Sequence, residues 1–272
     1  MQITRKHLIG TLAATSLIAG AAVPVVAQSD DSRSAKSFGS LLQRGSDSLS
    51  VRGLTADSRL IAFNERTPAL ARTLGRISGL AGDTKLIGID YRPATGDLYG
   101  VGEQGGVYTL DSRARATKRA QLTVALGGTS FGIDFNPAVD RLRIVSDTGQ
   151  SLRADVSTGA TTTDVVLSYP PATTAATGVT GSAYTNNDAD PNTSTTLFAL
   201  GTAMDQVAIQ SPANSGRLTA TGTLGADASA PSGFDIYNTV RRDTTIDVSA
   251  AAALTVGGRS RFYAVDATAR GT

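Results

Sequence analysis

The 272-residue chain has no cysteine, no tryptophan and one histidine, His7. Without cysteine there is no disulfide, no thiolate nucleophile and no thiolate zinc site. His7 falls in a segment that reads as a removable leader, so the processed chain has no imidazole. A Ser-His-Asp triad and any His-ligated metal are thereby excluded. Glutamate is almost as scarce, with only Glu65 and Glu103. Long apolar runs are also missing after the first 27 residues.

Those first residues carry a basic start, Arg5, Lys6 and His7, then an apolar run from Leu8 to Val23 broken by Pro24. Val25, Val26 and Ala27 offer small residues for cleavage after Ala27. The run is too short and too rich in Ala and Gly for a membrane span. Residues 1–27 are therefore read as a signal peptide that directs the chain to the periplasm or outside the cell, with no membrane attachment after cleavage. Cleavage removes Arg5 and Lys6, leaving 23 basic residues against the 23 acidic ones. A balanced chain with scattered arginine lacks the clustered surplus that nucleic-acid binding needs. Residues 28–47 are rich in Ser, Asp and Gly and hold too few apolar groups to offset their ordering entropy. They read as a flexible leader, with a short helix expected near residues 38–44.

From residue 48 onward the pattern is all-β. Short alternating or β-branched runs are separated by Gly, Asn, Asp and Pro. A repeat organises them. Gly88-Ile89-Asp90-Tyr91 matches Gly132-Ile133-Asp134-Phe135, Gly233-Phe234-Asp235-Ile236 is a third copy, and Gly181-Ser182-Ala183-Tyr184 is a degenerate one. In chain order the spacings are 44, 49 and 52 residues. Each of the first three copies is followed by three further strand-like runs, and the last by two: residues 97–101, 107–111 and 120–126 come after the first, and 141–145, 151–155 and 161–167 after the second. Residues 196–200, 206–210 and 217–224 follow the degenerate copy, and 246–256 and 261–266 follow the last. Units of about 45–50 residues with four short antiparallel strands are propeller blades. Residues 49–54, 59–64 and 71–77 read as a further blade without its first strand.

The expected fold is thus a five-bladed β-propeller of four-stranded antiparallel blades. Closure should be imperfect, because the last unit lacks an outer strand and the first lacks an inner one. The inner strands crowd around one axis, and a glycine there lets backbones approach. Asp90, Asp134 and Asp235 share the glycine face by period two, while Ile89, Ile133 and Phe234 point to the other face.

The stretch at residues 131–153, FGIDFNPAVDRLRIVSDTGQSLR, resembles the signature of a bacterial family known as domain of unknown function 4394. Residues 86–99, 181–186 and 254–257 resemble the same family in the same order. The resemblance implies an exported, propeller-like protein and brings no catalytic residues with it.

Two groups of residues are candidate sites. Asp90, Asp134 and Asp235 converge on the axis, where carboxylates could bind calcium, act as acid and base in a hydrolase, or hold main-chain amides and fix the blades. Arg141, Arg143, Asp147, Gln150 and Arg153 form a polar cluster around one hairpin. Arg143 and Arg153 are expected within reach of Asp147 or Asp155, in a salt network or an anion site. The oxygen-rich loop at residues 186–192 lacks the spacing of a calcium loop and reads as surface. No catalytic residue and no cofactor are assigned. The favoured function is a non-enzymatic binding or scaffold module for a protein, glycan or cell-surface ligand. The alternatives are an Asp-dependent, glycosidase-like hydrolase and a calcium-stabilised structural protein.

Overall fold

A computed structural model describes residues 7–11, 49–186, 188, 190, 192–241 and 244–267. The cleavage site after Ala27, the leader at 28–47 and the helix expected near 38–44 lie outside the described residues, as do parts of the loop at 186–192. Among the described residues there is no helix, and so none long and apolar enough to cross a membrane.

The strands form five small sheets. The first holds β1 (His7–Thr11), β2 (Ser50–Leu54), β3 (Arg59–Asn64) and β4 (Thr67–Arg76). The second holds β5 (Leu86–Tyr91), β6 (Leu98–Gly102), β7 (Gly106–Leu110) and β8 (Ala116–Gln121). The third holds β9 (Phe131–Asn136), β10 (Arg141–Ser146), β11 (Ser151–Ala154) and β12 (Thr161–Thr163). The fourth holds β13 (Val179–Tyr184), β14 (Leu197–Gly201), β15 (Gln206–Gln210) and β16 (Leu218–Thr223). The fifth holds β17 (Ala228–Arg241), β18 (Thr244–Val256) and β19 (Arg259–Val265). Consecutive strands within the second to fifth sheets pair antiparallel, as tight connecting turns dictate.

The five inner strands touch in a ring, β1 to β5 to β9 to β13 to β17 and back to β1. The molecule is a five-bladed propeller. Its core is not one mass but five apolar clusters, one at each seam between blades. Leu54, Leu60 and Ile77 of the first blade meet Leu86, Ile89 and Leu98 of the second. Tyr99, Val101 and Val107 of the second meet Ile133, Phe135 and Leu142 of the third. Val145 and Leu167 meet Val179, Ala199 and Leu218, and Phe198 and Leu200 meet Phe234, Ile236 and Tyr263. The last seam joins Leu49, Val51, Ile61 and Phe63 to Tyr237, Ala251 and Ala253. There Phe63 and Phe262 meet edge to face at 5.2 Å between centroids. Of the two strands expected to be missing, the outer one is indeed absent from the fifth sheet, which has three strands among the described residues. The inner position of the first sheet, by contrast, is not empty but taken by β1, drawn from the N-terminal segment. The seam beside it nevertheless carries its own apolar cluster, so burial closes the ring there as at the other seams.

The outer strands depart most from the sequence reading. β8 occupies Ala116–Gln121 rather than the apolar run at 120–126, and β12 stops at Thr163 rather than 167. An outer strand faces solvent along most of its length, and β8 shows this with only Ala116 buried. Apolar patterning therefore marks the connection folding back under the next blade, where Leu122 and Leu167 are buried, better than it marks the strand.

Candidate functional site

The inner strands explain the glycines directly. A Cβ on Gly132 would stand 2.5 Å from the main chain of Gly181 and Ser182 in the next blade. One on Gly88 would stand 2.8 Å from Ile133, and one on Gly181 2.7 Å from the Cβ of Phe234. Each glycine faces the following blade, and Ile133 and Phe234 reach back to fill the space it leaves. The aspartates lie two residues on, so they face the same neighbour.

Asp90 uses both carboxylate oxygens on main-chain amides. One accepts from its own neighbour Tyr91 at 2.7 Å, and the other accepts from Phe135 of the next inner strand at 2.7 Å. Asp134 repeats the second bond one blade on, accepting from Tyr184 N at 2.6 Å. Position 183 is alanine, so the string stops there. Ile236 N, the next amide in line, is instead taken by its own Asp235 at 2.7 Å. A simple rule covers all four blades. The amide after the repeat position is held by the preceding blade's aspartate when there is one, and by its own aspartate otherwise.

Asp90 and Asp134 are buried, at 7% and 6% exposure, while Asp235 is partly exposed. Burial pushes the Asp90 carboxyl up to about 6, against the opposing pull of its hydrogen bonds. Asp134 rises well above the usual range, first through burial and then through the charges of Asp90 and Asp235. Each carboxyl acts on the protonation of the other, and the charge of Asp90 raises Asp134, which favours one proton between the pair.

The hairpin cluster does not converge on one point. Arg143, 1% exposed, donates to Asp164 Oδ2 at 2.6 Å, Ser151 Oγ at 3.0 Å and Asn214 Oδ1 at 2.7 Å. Its Nε also reaches the Tyr184 hydroxyl at 3.4 Å. Arg153 grips the same Asp164 through Nε, at 2.8 Å to Oδ2, and through a terminal nitrogen, at 2.9 Å to Oδ1. The expected partners, Asp147 and Asp155, are therefore not the ones used. Asp155 lies 3.4 Å from Arg141 at the hairpin's far end. Asp147 instead accepts from Thr129 N at 2.9 Å and Thr129 Oγ1 at 2.6 Å. Gln150 spans to Gly127 N at 2.8 Å and Ala125 O at 3.0 Å. Period-two reasoning put the arginines on one face correctly but could not see that Asp164, just past β12, folds over that face. Asp164 sat inside a run read as strand, and a lone carboxylate in such a run was the available signal.

A further carboxylate went unread in the sequence. Asp83 accepts from Gln104 N at 2.6 Å and lies 2.5 Å from the Tyr108 hydroxyl. It occupies the space over Gly102 and Gly106, where a Cβ would lie 2.1 Å from its atoms. Burial, helped by that carboxylate, pushes the Tyr108 phenol up to about 12. Like Asp147, Asp83 pins the loop before an inner strand to the turn between the second and third strands. Among the described residues, no three His, Asp or Glu side chains are grouped so as to hold a metal ion.

A family model described as domain of unknown function (DUF4394) matches residues 59–271. The chain belongs to this family. No curated protein sequence matches it. Among solved structures, the DUF4394 chain is similar to PorZ, an essential bacterial surface component of the type-IX secretion system of Porphyromonas gingivalis. The identity is 18% and the TM-score 0.35, over 76% of this chain and 26% of that one. It is also similar to an auxiliary nutrient binding protein from Bacteroides thetaiotaomicron, at 13% identity and TM-score 0.42, over 82% of this chain and 55% of that one. A protein from Lactobacillus plantarum matches at 15% identity and TM-score 0.38, over 79% and 69%. The chain thus spans about a quarter and about half of the first two structures. All three scores are low, and the fold assignment rests on the DUF4394 chain's own sheets.

Proposed function

We propose that this DUF4394 chain is an exported, non-enzymatic binding or scaffold module of the periplasm or cell exterior. Its rigid ring would present loops to a protein, glycan or cell-surface ligand. The observation that carries this reading is the commitment of the inner carboxylates. A general acid or base needs an oxygen within reach of the substrate. Both oxygens of Asp90 are instead held by main-chain amides, one of them from the next blade. The basic start and apolar run of residues 1–27 support export.

The hydrolase alternative draws on one feature, the raised Asp90 and Asp134 carboxyls, since a general acid is tuned in that direction. Their burial against the neighbouring main chain argues for a structural use. The double variant Asp90→Asn, Asp134→Asn separates the two. The expected result is a lowered Tm, with no hydrolysis of a glycoside panel by wild type or variant. A wild-type chain that hydrolyses a glycoside, with a variant that keeps its Tm and loses that activity, would reverse the reading.

A further inference from the structure

The inner position of the first blade is filled unlike the other four. β5, β9, β13 and β17 each run antiparallel to the second strand of their own sheet. β1 runs parallel to β2, with His7 opposite Ser50 and Thr11 opposite Leu54. β2 pairs antiparallel with β3, as the other second strands do with their third strands. β1 therefore points along the axis in the opposite sense to every other inner strand. It also comes from within the segment whose sequence reads as a removable leader.

The walls of this position repeat those of the other blades. β17 stands on one side and β5 on the other. Asp235 on β17 holds the repeat position from which Asp90 and Asp134 take an amide of the next inner strand. The edge of β2 offers main-chain donors and acceptors to whatever lies beside it.

We propose that this position is a strand-acceptor slot. With residues 1–27 removed, it takes an extended segment of a partner protein, antiparallel to β2 and with a glycine at the crowded position. This rests on the export reading above. The mode is β-augmentation, in which main-chain hydrogen bonds give affinity and the tight wall gives selectivity. A second copy of the chain is a poor donor, because its Gly-x-Asp segments are the innermost strands of its blades, buried against the inner strands of their neighbours. The repeat supplies the recognition rule. An occupant in the native sense places its glycine where Gly132 and Gly181 sit in their blades, and offers an amide to Asp235.

The test uses the full chain and a synthetic peptide copying residues 130–136. Successive amides of a strand point to opposite sides, so Ile9→Pro with Gly10→Pro removes at least one amide facing β2 and loosens β1. The variant should bind the peptide at least about tenfold more tightly than wild type, and a peptide with Gly132→Val should bind it at least about tenfold more weakly. Equal affinity for wild type and variant, or for the two peptides, overturns the proposal. Exported protein recovered from the cell offers the slot without substitution and should bind as the variant does. Its failure to bind would mean that the chain's own residues close the slot, which also overturns the proposal. The intact mass of that protein reports separately on the leader. A mass including residues 1–27 refutes the export reading, and the titration of the variant still decides whether the slot accepts a strand.

Discussion

Asp90 shows how little freedom a single side chain has on the inner ring. Each oxygen accepts one amide, so an amide side chain in its place must turn its NH2 toward a main-chain N–H. Asp90→Asn is expected to lower stability by about 1–3 kcal/mol, the usual cost of a buried donor left unpaired, measured by urea unfolding. Glycine gives a sharper contrast. Gly132→Ala forces a Cβ to 2.5 Å from neighbouring main chain that cannot step aside, so it should cost at least about 2 kcal/mol or prevent folding. Gly96 has φ near 73° but open space around it. Gly96→Ala should cost only about 1 kcal/mol, from backbone strain alone. Equal losses at the two sites in the same unfolding assay would refute the close-approach account.

At the scale of the blade, the polar ties are not shared evenly among the seams. The second and third blades are joined by Asp90 to Phe135 N and by the Arg92–Asp140 ion pair. The third and fourth are joined by Asp134 to Tyr184 N and by Arg143 to Asn214. Between the fourth and fifth, Ala183 removes the carboxylate, and Thr180 Oγ1 and Ser232 Oγ meet at 2.7 Å instead. Arg143→Ala would leave Asp164 buried without its closest cation, and should cost about 3–5 kcal/mol. Arg153 has a side chain 34% exposed, so Arg153→Ala should cost less than about 1 kcal/mol. Thermal melts of the two variants side by side check the ranking. The inner repeat and the second and third strands were legible in the sequence because they alternate or bury apolar groups. The outer strands and the partner of Arg143 were not. Outer strands carry little burial signal, and a salt bridge between distant segments depends on how the chain folds back.

For the ring as a whole, buried carboxyls set an unusual response to acid. A carboxyl whose folded value is raised holds its proton more tightly folded than unfolded. Its contribution to stability is therefore full below the unfolded value near 4 and fades as pH rises through the folded value. With Asp90 near 6 and Asp134 also raised, stability should increase as pH falls from 7 toward 5. Most proteins with paired carboxylates lose stability in that direction. Asp90→Asn should flatten the rise, because it removes one of the two charges that face each other. A Tm that falls steadily from pH 7 to 5 in the wild type would contradict this. Adding a chelator should leave the Tm unmoved, since both Asp90 oxygens and one oxygen of Asp134 are already held by main-chain amides. A chelator-induced drop would favour the calcium-stabilised alternative.

The all-β class, the repeat, the number of blades and the face on which glycine and aspartate lie could all be read from the order of the residues. These follow from local periodicity and from the steric demand for glycine where backbones crowd. Folding in three dimensions set which amide each carboxylate holds, that Asp164 rather than Asp147 or Asp155 balances Arg143, and that an apolar cluster seals the last seam. Those outcomes depend on which distant segments are brought together, and alternation along a strand carries no record of that.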